Sequence, residues 1–250
     1  MSVKSKLLKL LGKERAPSVS DNFLFVAAHE IKTSLTAILG FTELLSGSVK
    51  YMPKDVRERF DQLNSAVENL RELLGELLEI SGSETEVKKM KLGPVDLLGI
   101  INELILRVSP LSSESRVAIG LRMQDKMPPV LADSVKLKEV ILNILTNAIK
   151  YNRPGGRVDI TLLTLENTAI VEFRDTGYGI TKGEEDKVFE KFFRSSIVRT
   201  KQVSGTGLGL FITKMWVEKM GGQIAISSTE EFGTTVAFSL PLDPAGLTKD

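Results

Sequence analysis

Between Asn22 and Ile80 apolar positions recur at alternating steps of three and four residues. Leu24, Ala28, Ile31, Leu35, Ile38, Thr42 and Leu45 make one line; Val56, Phe60, Leu63, Val67, Leu70, Leu74 and Leu77 make a second. This is the heptad seam of packed helices, and it predicts two long helices interrupted once, at "SGSVKYMP" (46–53). Helices joined by so short a connection form an antiparallel hairpin. A lone hairpin buries neither seam well, so the period predicts that two chains pair into a four-helix bundle. His29 follows seam position Ala28, about 100° around the helix, which places it outside the packed interior with Thr33 one turn further along the same face. Position alone does not separate an incidental surface histidine from a reactive one.

After the polar stretch "SGSETEVKK" (81–89), which reads as a linker, the period changes. Helix patterns at 96–108, 134–151 and 208–220 interleave with strand patterns at 116–123, 157–165, 168–175, 223–229 and 234–240. Helices alternating with mostly hairpin-connected strands predict an α+β sandwich, one mixed sheet covered by helices. The expected division is a lead-in over 1–19, a dimerisation region over 20–82, a linker over 83–91, a second domain over 92–243 and a tail over 244–250.

Composition narrows the chemistry. With 33 basic and 32 acidic residues the formal net charge is +1, which is not the footprint of a nucleic-acid binder. No cysteine and one histidine exclude disulfides, thiol nucleophiles and histidine-rich metal sites. No apolar run approaches the length of a membrane span and no signal-peptide pattern opens the chain, so the expected location is the cytoplasm. The lysine- and leucine-bearing "KSKLLKLLGKERAPS", broken by Gly12 and Pro17, reads as a flexible lead-in or leftover signalling helix in preference to a membrane-surface helix. No sensory domain precedes the hairpin. That is expected of a catalytic fragment or of a protein that receives its signal from another.

Three segments of the second region carry candidate chemistry. In "EVILNILTNAIKYN" (139–152), Asn143, Asn147 and Lys150 share one helical face at steps of four and three. The stripe is either a solvated surface or a phosphate-and-metal face, since amide oxygens are hard ligands for Mg2+ and lysine is a point charge for phosphate. "DTGYGI" (175–180) ends a strand; alone it is either a plain strand-ending turn or a ligand loop in which Asp175 accepts from an exocyclic amine, with glycines that permit a sharp turn. "GTGLGL" (205–210) opens a helix, where backbone amides favour anions. Its alternate glycines match neither the dinucleotide fingerprint nor a Walker A loop. Between the last two lies a long charged connection whose one apolar island, "VFEKFFR", ends in Arg194. Such connections are usually functional lids or disordered segments.

In combination these segments resemble a sensor histidine kinase of two-component signalling, over residues 20–242. "HEIKTSL" resembles the H box, "NILTNAIKY" the N box, "DTGYGI" the G1 box, "VFEKFFR" the F box and "GTGLGL" the G2 box, in family order. The resemblance implies the ATP-binding fold shared with gyrase, heat-shock chaperones and MutL, with ATP beneath a mobile lid. It implies that His29 takes the γ-phosphoryl group, that Glu30 orients the ring and accepts its other proton, and that Thr33 helps hydrolyse a partner's phospho-aspartate. It further implies that Asn147 holds Mg2+ with Asn143 in support and that Lys150 and Arg194 contact phosphate. Tyr151 would lie near the nucleotide and Asp175 would bond the adenine amine. Gly177, Gly179, Ile180, Gly205, Thr206, Gly207, Leu208 and Gly209 would shape the pocket and lid. The implied partners are a second copy of the chain and a response-regulator receiver domain, with an upstream sensor that the sequence does not identify.

One position departs from the family. Ser34 stands where relatives usually carry proline, implying a straighter, stiffer helix around His29 and altered bending or signal coupling, without loss of chemistry. Two other classes compete: a water-hydrolysing ATPase of the same fold, which uses a glutamate where this chain has Asn143, and a dimeric scaffold that binds nucleotide without transferring phosphate.

Overall fold

The computed structural model of the chain describes residues 21–49, 51–81, 90–123, 127–200 and 205–246. The proposed lead-in, most of the proposed linker and the last four residues lie outside them. Two compact units result, one holding the hairpin and the other the residues from 90 onward.

The hairpin consists of α1 (Asp21–Val49) and α2 (Lys54–Ser81). The expected interruption at 46–53 is shorter in the structure, because α1 runs on through Gly47 to Val49. Val49 is buried seven residues after Thr42, itself seven after Leu35. One more heptad position is thus covered, and that favours a further turn of helix. Leu35, Val67 and Leu74 form the hairpin core, with Leu39, Leu77 and Leu78 packed on it. The other heptad line on each helix, Ile31, Ile38 and Leu45 on α1 and Val56, Leu63 and Leu70 on α2, is 36% to 50% exposed. Each seam is therefore divided: one heptad position closes the hairpin and the other faces outward. α1 is continuous through Ser34.

The second unit begins with β1 (Gly93–Val95) and α3 (Leu97–Glu114), followed by β2 (Ala118–Met123), β3 (Val130–Ala132) and α4 (Ser134–Lys150). Then come β4 (Arg157–Leu165), β5 (Thr168–Asp175), a short α5 (Ser196–Thr200), α6 (Gly209–Lys219), β6 (Gln223–Thr229) and β7 (Gly233–Pro241). Five strands form one mixed sheet in the order β2-β4-β5-β7-β6, with β2–β4 parallel and the other pairs antiparallel. β1 and β3 pair separately. The α+β architecture is as expected, and β4, β5 and β6 span the residues that the alternating pattern marks.

Two differences have physical causes. β1 and β3 hold three residues each, too few to show a period. α3 continues past 108 although Pro110 lies inside it. The carbonyl that Pro110 cannot bond is that of Leu106, and the hydroxyl of Ser109 donates to that oxygen at 2.9 Å. Val108 and Ser112 meanwhile keep the helix's buried stripe going.

α4 positions the site. Its cap residue Asp133 accepts from the backbone N–H of Val135 (3.0 Å), Lys136 (3.2 Å) and, across the chain, Lys91 (2.8 Å). Burial alone would raise the Asp133 carboxyl, but those three bonds and the Lys136 charge outweigh it and hold it below its ordinary value. Leu137, Val140, Ile141, Ile144, Leu145, Ala148 and Ile149 bury the inner face of α4. The polar residues are left to line the other side.

Candidate functional site

Three chain segments converge on that other side of α4. Asn143 and Asn147 are half-buried and joined in series: Asn147 Nδ2 donates to Asn143 Oδ1 at 3.2 Å, and Asn143 Nδ2 donates to Thr213 Oγ1 on α6 at 2.7 Å. Gly209, the first residue of α6, lies against the same amide; a Cβ there would sit 2.6 Å from Asn143 Oδ1. This glycine admits a close approach that any side chain would block. Asn147 Oδ1 has no hydrogen-bond partner among the described residues, so it is an open hard oxygen donor of the kind that suits Mg2+ or a water bound to it. No cluster of three acidic or histidine ligands exists among the described residues. A cation here would complete its shell with phosphate oxygens and water.

At the end of α4, exposed Lys150 places its ammonium 5.9 Å from the centroid of the Tyr151 ring. Gly205 closes over both, since a Cβ on it would stand 3.1 Å from Tyr151 Oη and 3.8 Å from Lys150 Nζ. Burial pushes the Tyr151 hydroxyl above its ordinary pKa, and the positive charge of Arg194 pulls the other way, which puts that guanidinium within electrostatic reach of the same corner. Gly207 (φ +77°) crosses the aromatic island so closely that a Cβ would meet Phe192 C at 2.7 Å and Phe193 O at 2.8 Å. Thr206 Oγ1 accepts from Leu208 N at 3.2 Å and Leu208 is fully buried, anchoring the start of α6.

Asp175 ends β5 and is 9% exposed. Its Oδ1 takes two backbone donors, Gly177 N at 2.8 Å and Thr234 N at 3.1 Å, and its Oδ2 makes no hydrogen bond among the described residues. Burial pushes this carboxyl up to about 6, with the two N–H bonds opposing. The loop beyond it is clasped from both sides: Tyr178 N donates to Tyr151 O at 3.1 Å and Glu231 N donates to Tyr178 O at 2.8 Å. Gly179 (φ +73°) lies against the carbonyl of Thr229, and Ile180 is buried. An acceptor held this way suits an exocyclic amine, and the amide dyad and cationic corner suit phosphate.

The structure thus brings together Asn143, Asn147, Lys150, Tyr151, Asp175, Gly177, Gly179, Ile180, Arg194 and the 205–209 turn. His29, Glu30 and Thr33 lie on α1, and their side chains fall outside the described residues. Sequence reasoning missed Thr213, Thr234 and Arg153. Thr213 left a signal, being a polar residue amid buried Ile212, Trp216 and Val217, where a hydroxyl needs a partner. Thr234 contributes only a backbone N–H and left none.

Residues 20–86 match the family described as the His Kinase A (phospho-acceptor) domain, and residues 132–244 match the Histidine kinase-, DNA gyrase B-, and HSP90-like ATPase. The two matches in this order cover most of the chain, which belongs to the sensor histidine kinases. It is 33% identical over 244 residues to the cell-division control histidine kinase PdhS of Brucella anthropi, a match that covers 91% of this chain and 23% of PdhS. The chain therefore spans about a quarter of that relative's length. Among solved structures, full-length ShkA in complex with AMPPNP has a TM-score of 0.73 at 24% identity, covering 89% of this chain and 46% of that one. The histidine kinase ThkA in complex with its response regulator protein TrrA has a TM-score of 0.63 at 18% identity, covering 90% of this chain and 63% of that one. Both likenesses concern the fold. Among the described residues no helix is long and apolar enough to cross a membrane.

Proposed function

We propose that the chain binds ATP between α4 and the 205–209 turn and phosphorylates its own His29. The observation that carries this reading is that one helix sets an open amide oxygen, a lysine and a tyrosine against both glycine-bearing segments, with a carboxylate acceptor at the far end of the same loop cluster. Residues 20–82 serve as the dimerisation and phosphoacceptor domain and 92–243 as the ATP-binding domain. Asp175 selects adenine through Oδ2, and Lys150 and Arg194 neutralise the phosphates. Mg2+, when bound, supplies further positive charge at the phosphates beside Asn147.

The transfer is a displacement. A neutral imidazole, the form that an ordinary pKa near 6.5 favours at cellular pH, supplies the electron pair for a new N–P bond. The bond from the γ-phosphorus to the β–γ bridging oxygen breaks and ADP leaves. The second ring nitrogen gives its proton to Glu30. A response-regulator aspartate then receives the phosphoryl group, with Thr33 assisting its later hydrolysis; the ThkA complex with TrrA supports a partner of this kind. Ser34 sets the balance between these activities, and Ser34→Pro shifts the ratio of kinase to phosphatase rate. No change in either rate would remove Ser34 from this account.

The outward heptad lines support a homodimer, because a second copy is what buries two parallel apolar stripes of this spacing. The test of the main reading is incubation with γ-labelled ATP and Mg2+, with His29→Gln and Asn147→Ala beside the parent. Label that is acid-labile and base-stable, and absent from both variants, is expected. Bound ATP without label would overturn the proposal, and released phosphate would then separate an ATPase from a scaffold.

A further inference from the structure

Thr213 is 1% exposed on α6, and its hydroxyl is the acceptor for Asn143 Nδ2 at 2.7 Å. A side-chain amide is polar in one direction, with a donor end and an acceptor end that exchange when the group turns over. Once Thr213 takes the nitrogen end of Asn143, the oxygen end faces Asn147 Nδ2 at 3.2 Å and also lies against Gly209. Asn147 is then left with its oxygen, not its NH2, as the group without a partner. We infer that Thr213 is a positioning residue for the metal-facing oxygen of Asn147, acting through Asn143. The inference rests on the reading that Asn147 faces Mg2+.

Without the hydroxyl, Asn143 loses its anchor on α6 and the amide pair is no longer held in one arrangement. Asn147 can then turn its NH2 outward, and a donor group repels a cation. Outer partners of metal ligands commonly contribute about tenfold or more to metal affinity in this way. Thr213 also belongs to the helix that the 205–209 turn opens, so the same bond ties the placement of that helix to the orientation of the ligand.

The test compares the full chain with Thr213→Val, which keeps the shape, Thr213→Ala, a second hydroxyl-free variant in case valine does not fold, and Thr213→Ser, which keeps the hydroxyl. Mn2+ is titrated into each protein saturated with a non-hydrolysable ATP analogue, bound metal is read by electron paramagnetic resonance, and analogue affinity is measured separately in EDTA. The expected result is Mn2+ affinity about tenfold weaker in Thr213→Val and Thr213→Ala, wild-type Mn2+ affinity in Thr213→Ser, and unchanged analogue affinity in EDTA. Wild-type Mn2+ affinity in the hydroxyl-free variants, an equal loss in Thr213→Ser, or an equal loss of analogue affinity in EDTA would overturn the inference and leave the role of Asn147 standing. Asn147→Ala with wild-type Mn2+ affinity would overturn both.

Discussion

The hairpin and the sheet domain use apolar residues differently. In the sheet domain a large set is sealed within the unit: Trp216, Phe173, Phe238, Ile144, Leu145 and Ile160 are each less than 2% exposed, while Leu106, Val135, Phe192 and Phe232 stand singly at the surface. Among the described residues of the hairpin one heptad line per helix is sealed, around Leu35, Val67 and Leu74, and the other remains open. The sheet domain is complete as one chain. The hairpin has, among the described residues, a core cluster of three buried side chains and a surface that another helix pair would cover. A nucleotide site needs rigid walls, which the sealed unit provides. A signalling hairpin gains from a seam whose closure depends on a partner.

The contrast is broken most completely by charging the open line. Ile38→Asp with Leu63→Asp places two carboxylates per chain in the expected dimer seam, each costing several kcal/mol if buried unpaired. The dimer is expected to be lost at micromolar concentration in sedimentation, while the thermal transition of the sheet domain stays where it was. Persistence of the dimer would show that the open line is not the interface. A core deletion sharpens the same contrast. Ile144→Ala, at a position 1% exposed, should cost about 2–5 kcal/mol in denaturant unfolding at any protein concentration. Leu74→Ala in the hairpin should cost less as the protein is concentrated, because association offsets it. Identical concentration dependence for the two would contradict the comparison.

Sequence pattern is informative where one period governs burial. The heptads fix both long helices, the alternation of Val158, Ile160 and Leu162 fixes β4, and the three- and four-residue steps put Asn143, Asn147 and Lys150 on one face. It is silent where partners come from elsewhere in the chain. Which of two equivalent heptad lines closes the hairpin depends on how the helices turn at 50–53, and nothing in the repeat distinguishes them. The persistence of α3 through Pro110 needs the Ser109 hydroxyl to sit at the Leu106 carbonyl, a local substitution that helix propensity does not record. One of the two N–H bonds that hold Asp175 comes from Thr234, 59 positions away in the chain.

Asp175 connects site and stability. Its carboxyl rises from 3.8 to about 6 on folding, so the sheet domain favours the protonated form. The stabilisation from this group is fully present below about pH 3.8 and is lost as pH rises through about 6. At neutral pH the buried charge then costs up to about 3 kcal/mol. Asp175→Asn keeps an oxygen for the two N–H donors and removes the charge, so it should stabilise the nucleotide-free protein at pH 7.5 by up to about that amount. It should also flatten stability between pH 4 and 6 and weaken ATP binding sharply, because its other amide end is a donor facing a donor. A less stable variant at pH 7.5, or one with unchanged ATP affinity, would contradict this account of the carboxylate.

The smallest effect belongs to Arg153. Its guanidinium pairs with the Glu231 carboxylate, donates to Glu231 O at 2.9 Å and lies 5.7 Å from the Tyr178 ring, so it spans from the end of α4 to the turn between β6 and β7. Both side chains of the pair are well exposed, at 39% and 60%, which limits the ion pair to under about 1 kcal/mol. The backbone already joins the same parts, through Tyr178 N to Tyr151 O and Glu231 N to Tyr178 O. Arg153→Ala should therefore leave folding almost unchanged and raise the KM for ATP only about two- to fivefold, with kcat intact. Arg153→Lys should fall between, since lysine keeps the charge but loses the planar fork that reaches carboxylate and carbonyl together. A fall in kcat without a change in KM would mean that Arg153 acts on the transferring phosphate and not on the loop beside Asp175, and would move it to the reactive end of the site.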